Sequence, residues 1–363
     1  MVVVVTNLSK AIVAAFRTFV FLFEVLPTLP SRPFNFITPT PVVQKLVYPT
    51  PKGWAEGDVY RPASPGRHPG IVVCLGVVPF GVEHPQVPRL GEALARSGFA
   101  ALLYWSPNMR DFRLDPDDIE GIALAFGSLT EEPFVDENRS GLLGTCVGGS
   151  FALMAASSER IRTGVDFVAA FAPYGSLSSL ARDIGSSTSL RDGERYPWAV
   201  DPLTRKVFVH SITALLEASE AAALRDAFER GESKVSADGW SKDAQAISAL
   251  LAASDSDGAE RAIESLPENL RESLAILSPV NYLSDIRAQL IAISHDRDDL
   301  VIPVEESRLL RTQLQGRAGL RYTEFAMFQH ADPTKRRLSP PRLLWQLSKF
   351  YFWLYAIFRR AMR

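Results

Sequence analysis

Residues 141–149 read GLLGTCVGG. Cys146 stands between Gly144 and Gly148 in a G-x-C-x-G pattern, where an apolar run that reads as a strand gives way to a small-residue run that reads as a helix. A thiol at such a turn is a candidate nucleophile. The turn exposes it above the carboxyl end of a strand, and the helix that begins there aims its first N–H groups at the sulfur, which favours the thiolate. Gly144 and Gly148 are the elbow glycines, needed where the strand and helix backbones come too close for a Cβ. The N–H of Val147 would serve as one oxyanion donor. The second would come from the loop after the apolar run GIVVCLG (70–76), at Val77 or Val78.

A nucleophilic thiol needs a base, and the base needs an orienting acid. In strand-to-helix elbows of this kind the partners follow the nucleophile in the order acid, then histidine. Three histidines follow Cys146: His210 in a helical stretch, His295 at a strand end, and His330 in AMFQHADP at the end of the last strand-like run. The stretch HDRDDLVIP supplies Asp296, Asp298 and Asp299 just beyond the run QLIAISH (289–295). Asp299 is the preferred acid, Asp298 the alternative, and Asp296 a turn cap. His330 is the preferred base and His295 the alternative, while Asp332 reads as a helix cap. Arg110 and Arg113, in SPNMRDFRLD, are candidates to meet a substrate carboxylate, with Glu83 and His84 as weaker ones.

Other chemistries find no support. The net charge is −2, with 39 basic and 41 acidic residues and no long run of one sign, which gives no case for nucleic-acid binding. There is no Cys/His cluster, no H-E-x-x-H and no G-K-[ST], so neither a metal nor a phosphate loop is expected, and the thiol chemistry needs no cofactor. Two cysteines make no disulfide framework and suit a reducing, cytoplasmic setting. Cys74, within GIVVCLG, reads as a buried small hydrophobe.

The elements that must position these groups alternate between strand and helix patterns, which implies a mostly parallel central sheet flanked by helices. Residues 1–41 read as an apolar N-terminal helix and a Pro-rich linker. Residues 42–174 and 276–363 form the α/β core. Residues 175–275 break the alternation and read as a helical cap insertion without strands. The apolar stretch 11–27 carries Arg17 and Glu24 and falls short of the ~20 clean apolar residues of a membrane span. With the aromatic segment 343–363 it is expected to pack on the core. The alternative is peripheral contact with a membrane interface, arginines at the headgroups.

Over residues 42–175 and 276–350, through GIVVCLG, GTCVGG, SPVNYL, HDRDDLVIP and FQH, the sequence resembles the α/β-hydrolase superfamily. Its cysteine elbow is similar to that of the dienelactone hydrolase-like branch. That resemblance implies the α/β-hydrolase fold, with Cys146 as nucleophile, Asp299 as acid and His330 as base. The implied activity is hydrolysis of a small-molecule ester, lactone or thioester through a thioester acyl-enzyme. The G-x-C-x-G-G elbow is also similar to that of polyhydroxyalkanoate synthases, which implies acyl transfer to lipid-like groups as a second reading. A non-catalytic, membrane-associated protein of the same fold is a third.

Overall fold

Strand β3 (His68–Cys74) is buried at every position, as a strand covered on both faces must be. Its side chains alternate between two cores. Val72 and Cys74 join one, Ile71 and Val73 the other. The period of two recurs in β6 (Phe167–Phe171), where Val168 and Ala170 face the first core and Phe167, Ala169 and Phe171 the second. The computed structural model describes residues 2–25, 33–78, 81, 84–232, 235, 239–328 and 338–363.

The chain opens with α1 (Val2–Val25), followed by the hairpin β1 (Val42–Thr50) and β2 (Gly53–Arg61). After β3 come α2 (Gln86–Arg96), β4 (Ala100–Tyr104), the short α3 (Pro107–Arg110) and α4 (Asp117–Glu131). Then β5 (Val135–Thr145) runs into α5 (Val147–Ala155), and β6 follows. Beyond the next segment lie β9 (Leu290–Asp296), α12 (Val304–Gln313), β10 (Leu320–Phe325) and α13 (Pro340–Ala361). The eight-stranded sheet has the order β1-β2-β4-β3-β5-β6-β9-β10. Only β1–β2 and β2–β4 pair antiparallel. The chain steps from β3 to β4 on one side and then to β5 on the other, which makes the β3/β5 boundary the topological switch point where such sheets place their sites.

Between β6 and β9 lie α6 (Leu177–Ser186), the hairpin β7 (Thr188–Arg191) and β8 (Glu194–Pro197), α7 (Pro202–Ile212), α8 (Ala218–Glu229), α9 (Lys242–Leu251), α10 (Ser256–Glu264) and α11 (Glu268–Ile276). The hairpin corrects the expectation of a strand-free insertion. Its turn is Asp192-Gly193, with φ of 51° and 89°, the two positive values that a tight hairpin turn needs. Helix α7 begins at an Asp-Pro pair. Asp201 Oδ1 accepts the Leu203 and Thr204 N–H at 2.9 and 3.3 Å, and Pro202 takes the first helical position, where no N–H is required.

The terminal helices pack on the core and on each other. Phe21 and Leu22 of α1 share a cluster with Trp353, Leu354, Ile357 and Phe358 of α13. The Tyr351 hydroxyl donates to the Ala15 carbonyl at 3.1 Å. Each such buried large side chain contributes about 1.5–3 kcal/mol. Both helices keep an exposed apolar side, with Leu8, Ile12 and Phe16 on α1 and Leu344 and Trp345 on α13. Among the described residues no helix is long and apolar enough to cross a membrane.

Candidate active site

Cys146 links β5 to α5 at φ 55° and ψ −134°, a conformation that a residue with a Cβ rarely adopts and that costs about 1–3 kcal/mol. The surroundings impose it. A Cβ on Gly144 would overlap the backbone of Gly148, and one on Gly148 would overlap the Cys74 carbonyl and the Gly76 nitrogen. The Cys146 N–H donates to the Phe171 carbonyl at 2.8 Å, and the Thr145 hydroxyl to the Leu75 carbonyl at 2.9 Å. The turn is therefore fastened to both neighbouring strands at the switch point. Val147 is the first residue of α5, so its N–H has no carbonyl one turn back to bond. Val77 lines a cavity with Cys146 and Val147, and Val78 follows it, half-buried. Cys74 behaves differently: it is buried in the core and burial pushes its thiol pKa up, which leaves it inert.

The acid turn follows β9. Asp299 is buried, and its Oδ1 accepts the Val301 and Ile302 N–H at 2.8 and 3.0 Å. Asp298 is half-buried, and its N–H donates to Asp296 Oδ1 at 2.9 Å. Val301 and Ile302 line the same cavity as Cys146, so the Asp299 turn forms one of its walls. Asp296 does more than cap its turn. Its Oδ2 also accepts the N–H groups of Met327 and Phe328 at 2.7 and 2.5 Å, tying the end of β10 to the end of β9. His330 and Asp332 lie outside the described residues, as does Glu83.

The other histidines have local partners. His295 is fully buried with Nε2 2.9 Å from the Ile302 carbonyl. His210 Nε2 is 2.6 Å from Glu229, and His68 Nε2 is 3.0 Å from the Ser64 carbonyl. His84 Nδ1 accepts the Gln86 N–H at 3.4 Å. Arg110 is exposed on α3. Arg113 donates to Asn108 Oδ1 at 2.5 Å and to Asp115 Oδ2 at 3.0 Å, while Leu114, the next residue, lines the cavity.

The remaining walls are helical. Helix α6 contributes Leu177, Leu180 and Ile184, and α7 contributes Leu203, Thr204, Val207 and Phe208. A residue not singled out in the sequence holds α6 in place. Glu306, buried in α12, accepts the Gly175 and Ser176 N–H at 2.9 Å each and the Ser179 hydroxyl at 2.6 Å. Burial raises its pKa, against the pull of those donors. In PVEES it reads as an ordinary first-turn acid, and only its three long-range partners mark it out. No group of metal-ligating side chains occurs among the described residues.

The strand order, with the strained cysteine turn at the switch point and an acid turn after β9, defines the α/β-hydrolase fold. No protein-family model matches the chain. A probable 2-oxo-3-(5-oxofuran-2-ylidene)propanoate lactonase from Bradyrhizobium sp. is 27% identical over 169 residues, 38% of this chain, and the chain spans 63% of that protein's length. Among solved structures, the 2,6-dihydroxy-pseudo-oxynicotine hydrolase superposes with a TM-score of 0.53 at 17% identity, over 87% of this chain and 68% of that one. The α/β hydrolase GrgF from Penicillium sp. sh18 gives 0.50 at 16% identity, over 86% and 98%. These similarities carry the fold.

Proposed function

We propose that the protein is a hydrolase of small carboxylic esters or lactones that uses Cys146 as nucleophile, His330 as base and Asp299 as the acid that orients it. The observation that carries this reading is the strained cysteine between Gly144 and Gly148, facing a cavity that the Asp299 turn helps to wall. Holding a residue with a Cβ in this conformation at a strand-to-helix turn costs about 1–3 kcal/mol, which supports a role for the thiol it exposes. The lactonase relative supports the same class of carbonyl substrate.

In this mechanism His330 takes the proton of the Cys146 thiol as the sulfur attacks the carbonyl carbon. The oxyanion is held by the Val147 N–H and an N–H of the 77–78 loop, each such donor being worth about 3–4 kcal/mol. The C–O bond breaks, the leaving alkoxide takes the proton back from His330, and a thioester remains on the enzyme. Water, deprotonated by His330, then adds to the thioester and expels the thiolate. Asp299 fixes the imidazole tautomer and stabilises the imidazolium. The helices α6 and α7 act as a cap over the nucleophile.

Turnover of p-nitrophenyl acetate by the purified protein, abolished in Cys146→Ala, and an acid-quenched acyl adduct on Cys146 seen by mass spectrometry are the expected results. Unchanged turnover in Cys146→Ala would overturn the proposal.

A further inference from the structure

The cavity beside Cys146 is small and lined almost wholly by hydrocarbon, with about 40 Å3 of room for water-sized spheres. Taking the hydrolase reading as its basis, we infer that this cavity is the acyl subsite, and that it takes a short uncharged acyl group and rejects one that carries a carboxylate.

Three observations carry this. First, the walls facing the nucleophile are Leu114, Leu180, Ile184, Leu203, Val207 and Phe208, with no charged side chain among the described lining residues. An isolated carboxylate brought against such walls loses its hydration and gains no partner from them. Second, the single hydroxyl in the lining is already committed. Thr204 Oγ1 donates to the Val301 carbonyl at 3.0 Å, which leaves no hydrogen for a ligand anion. Third, Arg113, the residue before the lining Leu114, is held by Asn108 and Asp115.

This half-open recess suits the acyl part of an ester rather than its alcohol. The acyl group stays on the sulfur through both half-reactions, whereas the alcohol of an open-chain ester departs between them. The recess favours a short chain, with about 40 Å3 against the roughly 150 Å3 of a cavity that takes up benzene.

The test is a series of p-nitrophenyl esters with one leaving group and varied acyl chains. Wild-type kcat/KM is expected to be highest for acetate and butyrate and at least tenfold lower for octanoate. The mono-p-nitrophenyl ester of succinate, also a four-carbon acyl group, is expected to fall at least a hundredfold below butyrate. Phe208→Ala should raise the octanoate-to-butyrate ratio at least fivefold, and Leu203→Arg the succinate-to-butyrate ratio at least tenfold. Succinate and butyrate esters turned over within threefold of each other by the wild type would overturn the inference alone. No turnover of any ester, with Cys146→Ala identical to wild type, would overturn the hydrolase reading and this inference with it.

Discussion

The His295 ring and the Asp299 carboxylate meet at 3.5 Å, Nε2 to Oδ2, with both side chains buried. The same nitrogen lies 2.9 Å from the Ile302 carbonyl oxygen. Both neighbours are acceptors, so Nε2 carries the hydrogen and shares it between them. The ring therefore adds a third, weaker hold on a carboxylate that the Val301 and Ile302 N–H groups already orient. Under the proposed mechanism His295→Leu lowers kcat at least tenfold with a smaller change in KM, while His295→Gln, which keeps an N–H, stays within about threefold of wild type. Steady-state kinetics on the folded fraction checks this, and equal losses in both variants would reduce His295 to a packing residue.

Asp296 faces the other way, onto the chain that leads to His330. Asp296→Ala strands the buried Met327 and Phe328 N–H groups, each at a cost of about 1–3 kcal/mol. The expected result is a lower melting temperature together with slower alkylation of Cys146 by iodoacetamide at neutral pH, as the base loses its alignment. Alkylation at the wild-type rate would show that this tie does not reach the thiol.

Gly148 and Gly149 are neighbours with different constraints. A Cβ on Gly148 strikes backbone atoms of Cys74 and Gly76, which cannot swing aside, whereas one on Gly149 comes no closer than 3.2 Å to any atom. Gly148→Ala should therefore destabilise by more than about 3 kcal/mol, while Gly149→Ala, where the close contact is offset by the helix propensity of Ala, should change stability by less than about 1 kcal/mol. Urea denaturation of the two variants measures the difference.

Asp118 supplies a pH dependence. Its Oδ1 accepts from Ser106 and Asn108 at 2.6 and 3.2 Å, but its buried Oδ2 has no hydrogen-bond partner. Burial pushes the carboxyl from its ordinary 3.8 up to about 6, helped by Asp115 and opposed by those two hydrogen bonds and by Lys52. A raised pKa in the folded state means that stability from this group is full below about 3.8 and is lost as pH rises through about 6. Asp118→Asn should be more stable than wild type at pH 7.5 by about 1–3 kcal/mol, and the advantage should vanish by pH 4. Paired denaturation curves at the two pH values test the sign.

Much of this was legible in the sequence because the signals are local. GIVVCLG and VDFVAAFAP read as buried strands from composition alone, and the glycine spacing around Cys146 announces an elbow. Asp299 was singled out by its place after a strand, and its two turn hydrogen bonds are of that same local kind. What was not legible depends on distant partners. Glu306 takes donors from residues 175–179, and Asp296 from the far end of β10. The β7–β8 hairpin is not legible although Asp192-Gly193 is a turn pair, because its strands are four residues each and carry no alternating apolar pattern.

The pairing of the first and last helices sets a timetable. Phe21 and Phe358 pack at a tilt with ring centroids 5.6 Å apart, so α1 meets one wall of its seat only once α13 has been made. Helix α2 offers the other wall early, but Phe21 and Leu22 stay partly wet until α13 is made. A nascent chain stalled ahead of residue 340 would present that greasy stripe to chaperones and proteases, however well its sheet had formed.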